Sequence, residues 1–164
     1  MDMSDVVPSG ASAEAEMALI DRLAYTPQRI LNAVSRWSEA QIHGTPAESE
    51  WSAADILAHV RASDDIMAYR VYAMLARDVP PLPAYDERRW AEVGGYSQMH
   101  FRVSLDTFTK RRAELVALLR RIAPEDWERV GTHEARGPLT LREVVTGLVE
   151  HEEEHAGQIE ALGA

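Results

Sequence analysis

The chain has 164 residues, of which 46% are hydrophobic, and this suits one domain with a single core. Its 17 basic and 27 acidic side chains give a formal net charge of -10, which argues against a nucleic acid or a membrane as the primary partner. It contains no cysteine, so disulfides, thiolate ligands and a cysteine nucleophile are excluded. Any thiol in its chemistry has to come from a small molecule.

The first dozen residues are small and polar and begin with acids, unlike the basic start and apolar run of a signal peptide. We therefore expect residues 1–12 to be a disordered lead-in and residues 13–164 to form one domain. No apolar run reaches the length that a bilayer span requires. A soluble cytoplasmic protein is the resulting expectation.

A helical pattern begins at Ala13. Pro27 interrupts it, so the segment is either one kinked helix or two helices that meet at Thr26. The positions spaced for burial are Met17, Ile20, Leu23, Ala24, Ile30, Leu31, Val34 and Trp37.

A second helix is predicted over residues 53–76. Ser52 and Asp55 have the spacing of a capping box, in which each side chain accepts a hydrogen bond from the other residue's backbone N–H. His59 falls in the second turn, on the face that meets the other helices, and Arg70 lies on the same inner half.

The next segment, residues 77–96, is rich in proline at one end and glycine at the other and has no strong periodicity. Loops this long are usually functional or crossover segments. A third long helix should lie within residues 97–122. Its basic group is interpreted as a solvated face: Lys110, Arg111, Arg112, Arg120 and Arg121.

The last helix should begin after Thr140, which forms a second capping box with Glu143. Its inward stripe is Val144, Leu148, His151, His155, Gln158 and Leu162. Imidazoles four residues apart can aim nitrogens at one point, where a divalent ion is the usual occupant. A polar patch is the plainer interpretation of the pair alone, and a metal would still need a third ligand.

No segment alternates with the period of a strand, and four helical segments with apolar faces remain. The predicted fold is all-α, a four-helix bundle with a long crossover between the second and third helices. In such bundles, side chains from facing helices hold cofactors.

Residues 151–155 also spell H-E-x-x-H, which invites a zinc-protease interpretation with Glu152 as general base. Such proteases take a third ligand downstream, but only nine residues follow His155 and none is a histidine. Glu152 is more simply a solvated residue, or a residue that contacts a metal ligand and adjusts its properties without binding the metal. We place the remaining histidines, His43, His100 and His133, at the surface, although His133 precedes the ligand helix and has a smaller chance of approaching the site.

Three sequence stretches together resemble the DinB/YfiT-like superfamily. They are W-S-A-A-D-I-L-A-H-V over residues 51–60, P-L-P-A-Y-D-E-x-x-W over residues 81–90, and G-P-L-T-L with H-E-E-E-H-x-x-Q-I over residues 137–159. They occur in the family's order, and the likeness is closest to its YfiT-type branch.

The resemblance implies a metal-binding four-helix bundle, often dimeric, with zinc or nickel held by three histidines. The family's histidine of the second helix matches His59, and its H-x-x-x-H pair matches His151 and His155. Three histidines alone do not choose between zinc, nickel, iron and manganese. Relatives of this branch are described as metal-dependent hydrolases or as transferases of a small thiol such as bacillithiol.

The leading hypothesis is a metal-dependent enzyme that acts on a small molecule, with thiol S-transfer slightly ahead of hydrolysis. A non-catalytic metal-binding stress-response module is the alternative, and a purely structural protein is a third possibility. Arg70 is a candidate for holding an anionic part of the substrate, or it forms a surface ion pair. Tyr85, Asp86 and Trp90 either close the crossover over the metal or pin it to the bundle, and pinning is slightly favoured.

Overall fold

Most of the chain is helical, as expected where apolar residues recur with the period of a helix. The computed structural model describes residues 10–47 and 50–163. In chain order the elements are α1 Gly10–Val34, α2 Glu39–His43, α3 Ala53–Ala76, β1 Pro81–Leu82, α4 Glu87–Gly94, α5 Phe101–Leu119, β2 Val130–His133, β3 Gly137–Thr140 and α6 Leu141–Ala161. Two short 3-10 turns lie at Tyr96–Gln98 and Pro124–Glu128.

The four long helices form the predicted bundle. Helices α1 and α3 each pack against both α5 and α6, and the apolar core fills the space between them. The long connection between α3 and α5 is the predicted crossover. The prediction of a four-helix bundle is confirmed.

The two capping boxes fix where α3 and α6 begin. Asp55 N–H donates to Ser52 Oγ at 3.2 Å, and Ser52 N–H donates to Asp55 Oδ2 at 3.0 Å. The pair Thr140 and Glu143 makes the same two bonds at 3.2 and 2.7 Å. Because each box satisfies backbone donors that a helix start leaves unpaired, α3 spans the predicted residues 53–76.

Helix α1 departs from the prediction in two ways and decides an alternative that the sequence left open. It begins at Gly10, before the predicted start, and residues 1–9 of the expected lead-in lie outside the described residues. It runs through Pro27 as one helix, the first of the two predicted alternatives, and Thr26 Oγ1 donates to the carbonyl of Arg22 at 3.3 Å instead of capping a second helix. The predicted stripe was too wide, because three of its members are exposed: Met17, Ala24 and Leu31.

A small three-stranded sheet was not expected from the sequence. Strand β1 pairs in parallel with β2, and β2 pairs antiparallel with β3, with Leu82 opposite His133 and His133 opposite Gly137. Gly131 is required here, since a Cβ at this position would lie 2.8 Å from the side chain of Leu82. Strands of two to four residues are too short to show alternation. The sheet ties the crossover to the segment that precedes α6.

The crossover also contains a helix that the sequence analysis treated as loop. Asp86 caps α4, and its carboxylate accepts a hydrogen bond from Arg89 N–H at 3.0 Å. Helix α4 packs against α3. The crossover is therefore a folded layer on one side of the bundle.

A buried ion cluster joins α3, α5 and α6. Arg112 is 1% exposed; its Nη2 lies 2.9 Å from Asp64 Oδ1 and also contacts Glu152 Oε1. Arg111 Nε is 3.0 Å from Asp64 Oδ2. Burial raises the pKa of the Glu152 carboxyl against the opposing charge of Arg112. The prediction that Arg112 and Glu152 are solvated was wrong, because each is buried against the other where the helices pack.

We expect Arg112→Met to lower the free energy of unfolding by about 3–5 kcal/mol, since it leaves Glu152 buried without its counter-charge. Urea unfolding followed by circular dichroism measures the change. The control is Lys110→Met on the same helix, whose exposed ion pair with Asp106 is worth less than about 1 kcal/mol. Adding Glu152→Met to Arg112→Met should restore part of the loss, and equal effects of the Arg112 and Lys110 variants would refute the assigned role.

Candidate metal centre

Three histidine side chains from two helices meet at one point. His59 comes from α3, and His151 and His155 come from successive turns of α6. The Nε2 atom of His151 lies 3.0 Å from that of His59 and 3.2 Å from that of His155. The candidate ligand atoms of all three residues lie within 4.8 Å of one another.

These separations fit a shared ion. Two imidazole nitrogens bound at about 2.0–2.1 Å to one ion stand about 2.9 Å apart at a right angle and about 3.3 Å apart at a tetrahedral angle. The observed 3.0 and 3.2 Å fall within this interval. A three-histidine site is therefore present, and a three-ligand site leaves coordination positions for water or substrate.

The environment favours the neutral form of two of the rings, His59 and His151, and the neutral form is the one that binds metal. Burial lowers the pKa of His59; the nearby Glu87 carboxylate acts against this, and His155 lowers the pKa further. Burial and the charges on His155 and His59 lower the pKa of His151 to about 4. Trp51 forms one wall, with its ring centroid 4.9 Å from that of His59 and 6.2 Å from that of His155.

The orientation of His155 is set by its neighbour on α6. Its Nδ1–H donates to Gln158 Oε1 at 2.8 Å. The proton on Nδ1 leaves Nε2 with a free lone pair directed at the other two histidines. Gln158 thus holds the His155 ring through its Nδ1 atom, although Gln158 itself is exposed and its predicted place on the inward stripe was wrong.

Glu87 is a residue of the centre that the sequence analysis missed. Its Oε2 lies 3.1 Å from His59 Nε2, and Tyr85 donates its hydroxyl proton to Glu87 Oε1 at 3.3 Å. The signal was present in the sequence, since Asp86 is a capping residue directly before Glu87. Treating residues 77–96 as loop concealed that Glu87 opens a helix beside α3.

Two surface cavities flank the centre. The first, here called the Arg70 cavity, has a volume of about 280 Å³. Its lining includes Arg70, Tyr85, His133, Arg136 and His151. The second, here called the Trp51 cavity, has a volume of about 420 Å³. Its lining includes Trp51, Asp55, His59, Arg88 and Glu92. Glu87 lines both cavities and stands between them.

The four candidate substrate residues divide into two pairs. Arg70 and Tyr85 line the Arg70 cavity beside His151, and Tyr85 also shares a hydrogen bond of 3.0 Å with Ser63 Oγ. Arg70 is 7% exposed and, within residues 10–47 and 50–163, forms no surface ion pair. Asp86 is exposed and caps α4.

Trp90 is the remaining member of that set, and it pins the crossover. Its Nε1–H donates to Asp65 Oδ2 on α3 at 3.2 Å. Neither Trp90 nor Asp86 lines either cavity. The favoured pinning interpretation therefore suits these two residues, and the substrate interpretation is left to Arg70 and Tyr85.

Among the other histidines, His43 and His100 are exposed as predicted. His133 is 8% exposed and lines the Arg70 cavity, so its placement at the surface was wrong. Strand β2 turns it inward, and that strand was not predicted. Glu152 is turned toward Arg112 instead of the histidines, which gives no support to a peptidase with Glu152 as its general base.

No helix in the described part of the chain is both long and apolar enough to cross a membrane.

A family model described as the DinB superfamily matches residues 22–159. Two relatives are each 22% identical. "Putative metal-dependent hydrolase OB0782" of Oceanobacillus iheyensis aligns over 87% of this chain and 83% of its own length. "Putative metal-dependent hydrolase YfiT" of Bacillus subtilis aligns over 92% and 85%.

A solved structure agrees with the fold. YfiT from Bacillus subtilis, described as "a probable metal-dependent hydrolase with an unusual four-helix bundle topology", superimposes with a TM-score of 0.82 at 22% identity, covering 91% of this chain and 86% of that one. The family model covers well over half of the sequence, and so this protein belongs to the DinB superfamily.

Proposed function

We propose that the protein is a divalent-metal-dependent enzyme that joins a small exogenous thiol to an electrophilic substrate. The observation that carries the proposal is the convergence of His59, His151 and His155 between two cavities. The names of the relatives, which describe metal-dependent proteins, support the metal requirement. Zinc and nickel are the proposed ions.

A divalent ion held by His59, His151 and His155 would lower the pKa of a bound thiol or water and polarise an electrophile. The chain supplies no cysteine of its own, so the thiol has to enter as a second small molecule. Two cavities beside one centre suit a reaction with two small substrates. This arrangement favours transfer over hydrolysis, which needs a cavity for one substrate and a water.

Glu87 is placed to handle the proton of the nucleophile. Its carboxylate lies beside the ligand nitrogen of His59 and between the cavities. In the proposed step the thiol gives its S–H proton to Glu87, and the sulfur electron pair forms the bond to the electrophilic carbon. The leaving group departs with the electrons of the broken bond and takes the proton from Glu87. Burial raises the pKa of Tyr85, so its hydroxyl keeps its proton and orients the Glu87 carboxylate.

Hydrolysis is the second candidate, because the relatives carry that name. The same residues would then serve a water molecule, with the O–H proton passed to Glu87. The two reactions differ in the nucleophile alone, and a direct assay separates them.

With zinc or nickel bound, we expect the protein to accelerate conjugation of a bacterial thiol to monochlorobimane, measured by fluorescence. Bacillithiol, mycothiol, glutathione and cysteine are tested in parallel, because the cavities do not select one. His59→Ala should remove the gain, whereas His43→Ala, an exposed histidine, should retain it.

The alternatives give different results in that assay. No gain with any thiol, together with metal-dependent cleavage of a model ester, would replace transfer with hydrolysis. Metal binding without turnover of either kind, and no effect of His59→Ala on any rate, would leave a non-catalytic metal-binding module.

Gln158→Ala should weaken metal affinity by about 10- to 100-fold, since it removes the acceptor that fixes the His155 ring. His59→Ala should weaken it further, because a ligand itself is lost. Competition with a chromophoric chelator measures both constants. Glu154→Ala is the matched control, an exposed residue on the same helix, and an equal loss in this variant would contradict a specific role for Gln158.

Glu87→Gln should lower kcat by about 100- to 10,000-fold, as loss of a proton acceptor does, with metal content unchanged. Glu114→Gln on α5, an exposed glutamate that lines neither the Arg70 cavity nor the Trp51 cavity, should have little effect. Metal content is measured on the same samples as the rates. A parallel fall in metal affinity would make Glu87 a ligand instead of a proton acceptor.

A further inference from the structure

Arg70 carries a buried charge that lacks a carboxylate partner among the described residues. Its Nη2 donates to Pro83 O at 2.6 Å and contacts His133 Nε2 at 3.0 Å, its Nη1 meets only the sulfur of Met67 at 3.3 Å, and its Nε has no partner. Glu134 and Glu87 act on this charge without a direct ion pair, and a buried cation that no carboxylate contacts is costly. A negatively charged ligand in the adjoining cavity would offset that cost.

The hydrogen bonds around His133 point to the same ligand. The backbone N–H groups of Ala135 and Arg136 both donate to His133 Nδ1, at 3.1 and 3.2 Å. Burial and the charge of Arg70 lower the pKa of His133, so the ring is neutral and its single proton lies on Nε2. Nε2–H therefore faces a second donor, Arg70 Nη2, at 3.0 Å.

Two donors at this distance need an acceptor beside them that both can reach. An oxygen of an anion can accept from both Arg70 and His133, and Arg136 at the exposed rim adds positive charge. We propose that the Arg70 cavity is the binding site for the carboxylate group of a small-molecule substrate. Its apolar walls, Met67 and Leu148, would cover the adjoining carbon chain.

The two cavities differ in charge in a way that supports this assignment. The lining of the Trp51 cavity includes four acids, Glu50, Asp55, Glu87 and Glu92, against the single base Arg88. The Arg70 cavity has two arginines and shares only Glu87. A carboxylate is therefore expected in the Arg70 cavity and repelled from the other. As a statement about a substrate, this inference rests on the proposed function, although the binding itself needs no metal.

The test is isothermal titration calorimetry of the full-length, metal-free protein with succinate, in a buffer without other anions that bind arginine. Removing the metal prevents the carboxylate from binding the ion, and it makes the result independent of turnover. We expect succinate to bind with a Kd on the order of 1 mM. Uncharged succinamide should bind at least about tenfold more weakly.

Variants locate the site. Arg70→Met and His133→Phe should each weaken succinate binding at least about tenfold, while Arg70→Lys should retain part of the affinity. Arg88→Met, an exposed arginine of the Trp51 cavity, should leave the affinity unchanged. Circular dichroism on the same samples checks that the variants are folded.

Three results would overturn the inference: no binding of succinate at roughly 50 mM, equal affinity for succinamide, or unchanged affinity in a folded Arg70→Met variant. Tight binding of inorganic phosphate without succinate binding would also reject the carboxylate class. None of these results bears on whether the metal-loaded protein conjugates thiols, so the two proposals fail separately.

The carboxylate can belong to the electrophile or to the thiol, and paired substrates distinguish these sources. Chloroacetate against chloroacetamide, with one thiol, tests the electrophile. Thioglycolate against 2-mercaptoethanol, with one uncharged electrophile, tests the thiol. We expect the charged member of one pair to react faster than its uncharged partner, and this difference in rate should disappear in Arg70→Met. Equal rates within both pairs would rule out a role of the Arg70 cavity in binding the substrate.

Discussion

The buried guanidinium of Arg112 is the interaction on which the geometry of the centre depends. It binds Asp64 on α3 and Glu152 on α6. Asp64 follows His59 by little more than one turn, and Glu152 directly follows His151. Fixing these two carboxylates on one cation therefore fixes the distance between the helices at the height of the histidines. Apolar packing alone tolerates small shifts between helices, but a fully buried ion cluster does not, because a displaced charge loses its partner.

The bundle supplies the ligands, and the crossover supplies the residues that act beside them. Tyr85 and Glu87 lie in the crossover, and β1 holds the adjoining strand β2, which carries His133. The small sheet thus brings together segments about fifty residues apart in the sequence, as its pairing of Leu82 with His133 shows. The histidines on the long helices and the residues of the crossover can therefore vary separately in evolution. A shared fold within the superfamily is therefore compatible with different substrates.

The sequence predicted the parts of the molecule that repeat with the period of a helix. The capping boxes at Ser52 and Thr140 and the spacing of His151 and His155 were sufficient to place both ligand helices. It did not predict Glu87 or His133, because strands of a few residues and a two-turn helix carry almost no periodic signal. Arg112 was misplaced for another reason. A run of charged residues is assigned to the surface unless a buried partner of opposite charge is known. The partners of Arg112 lie on other helices, far from it in the sequence.

The net charge of the chain and the charged groups that line a cavity act on different kinds of ligand. A net charge of -10 sets the field at a distance, and it argues against polyanions that cover a large surface. A small anion inside a cavity responds instead to the groups within a few ångströms, since salt screens exposed charges beyond about 8–10 Å. Arg70 is buried and, among the described residues, forms no direct ion pair with a carboxylate, although Glu87 and Glu134 lie near enough to act on its charge. The acidic net charge of the chain is therefore compatible with the proposed binding of a carboxylate in the Arg70 cavity.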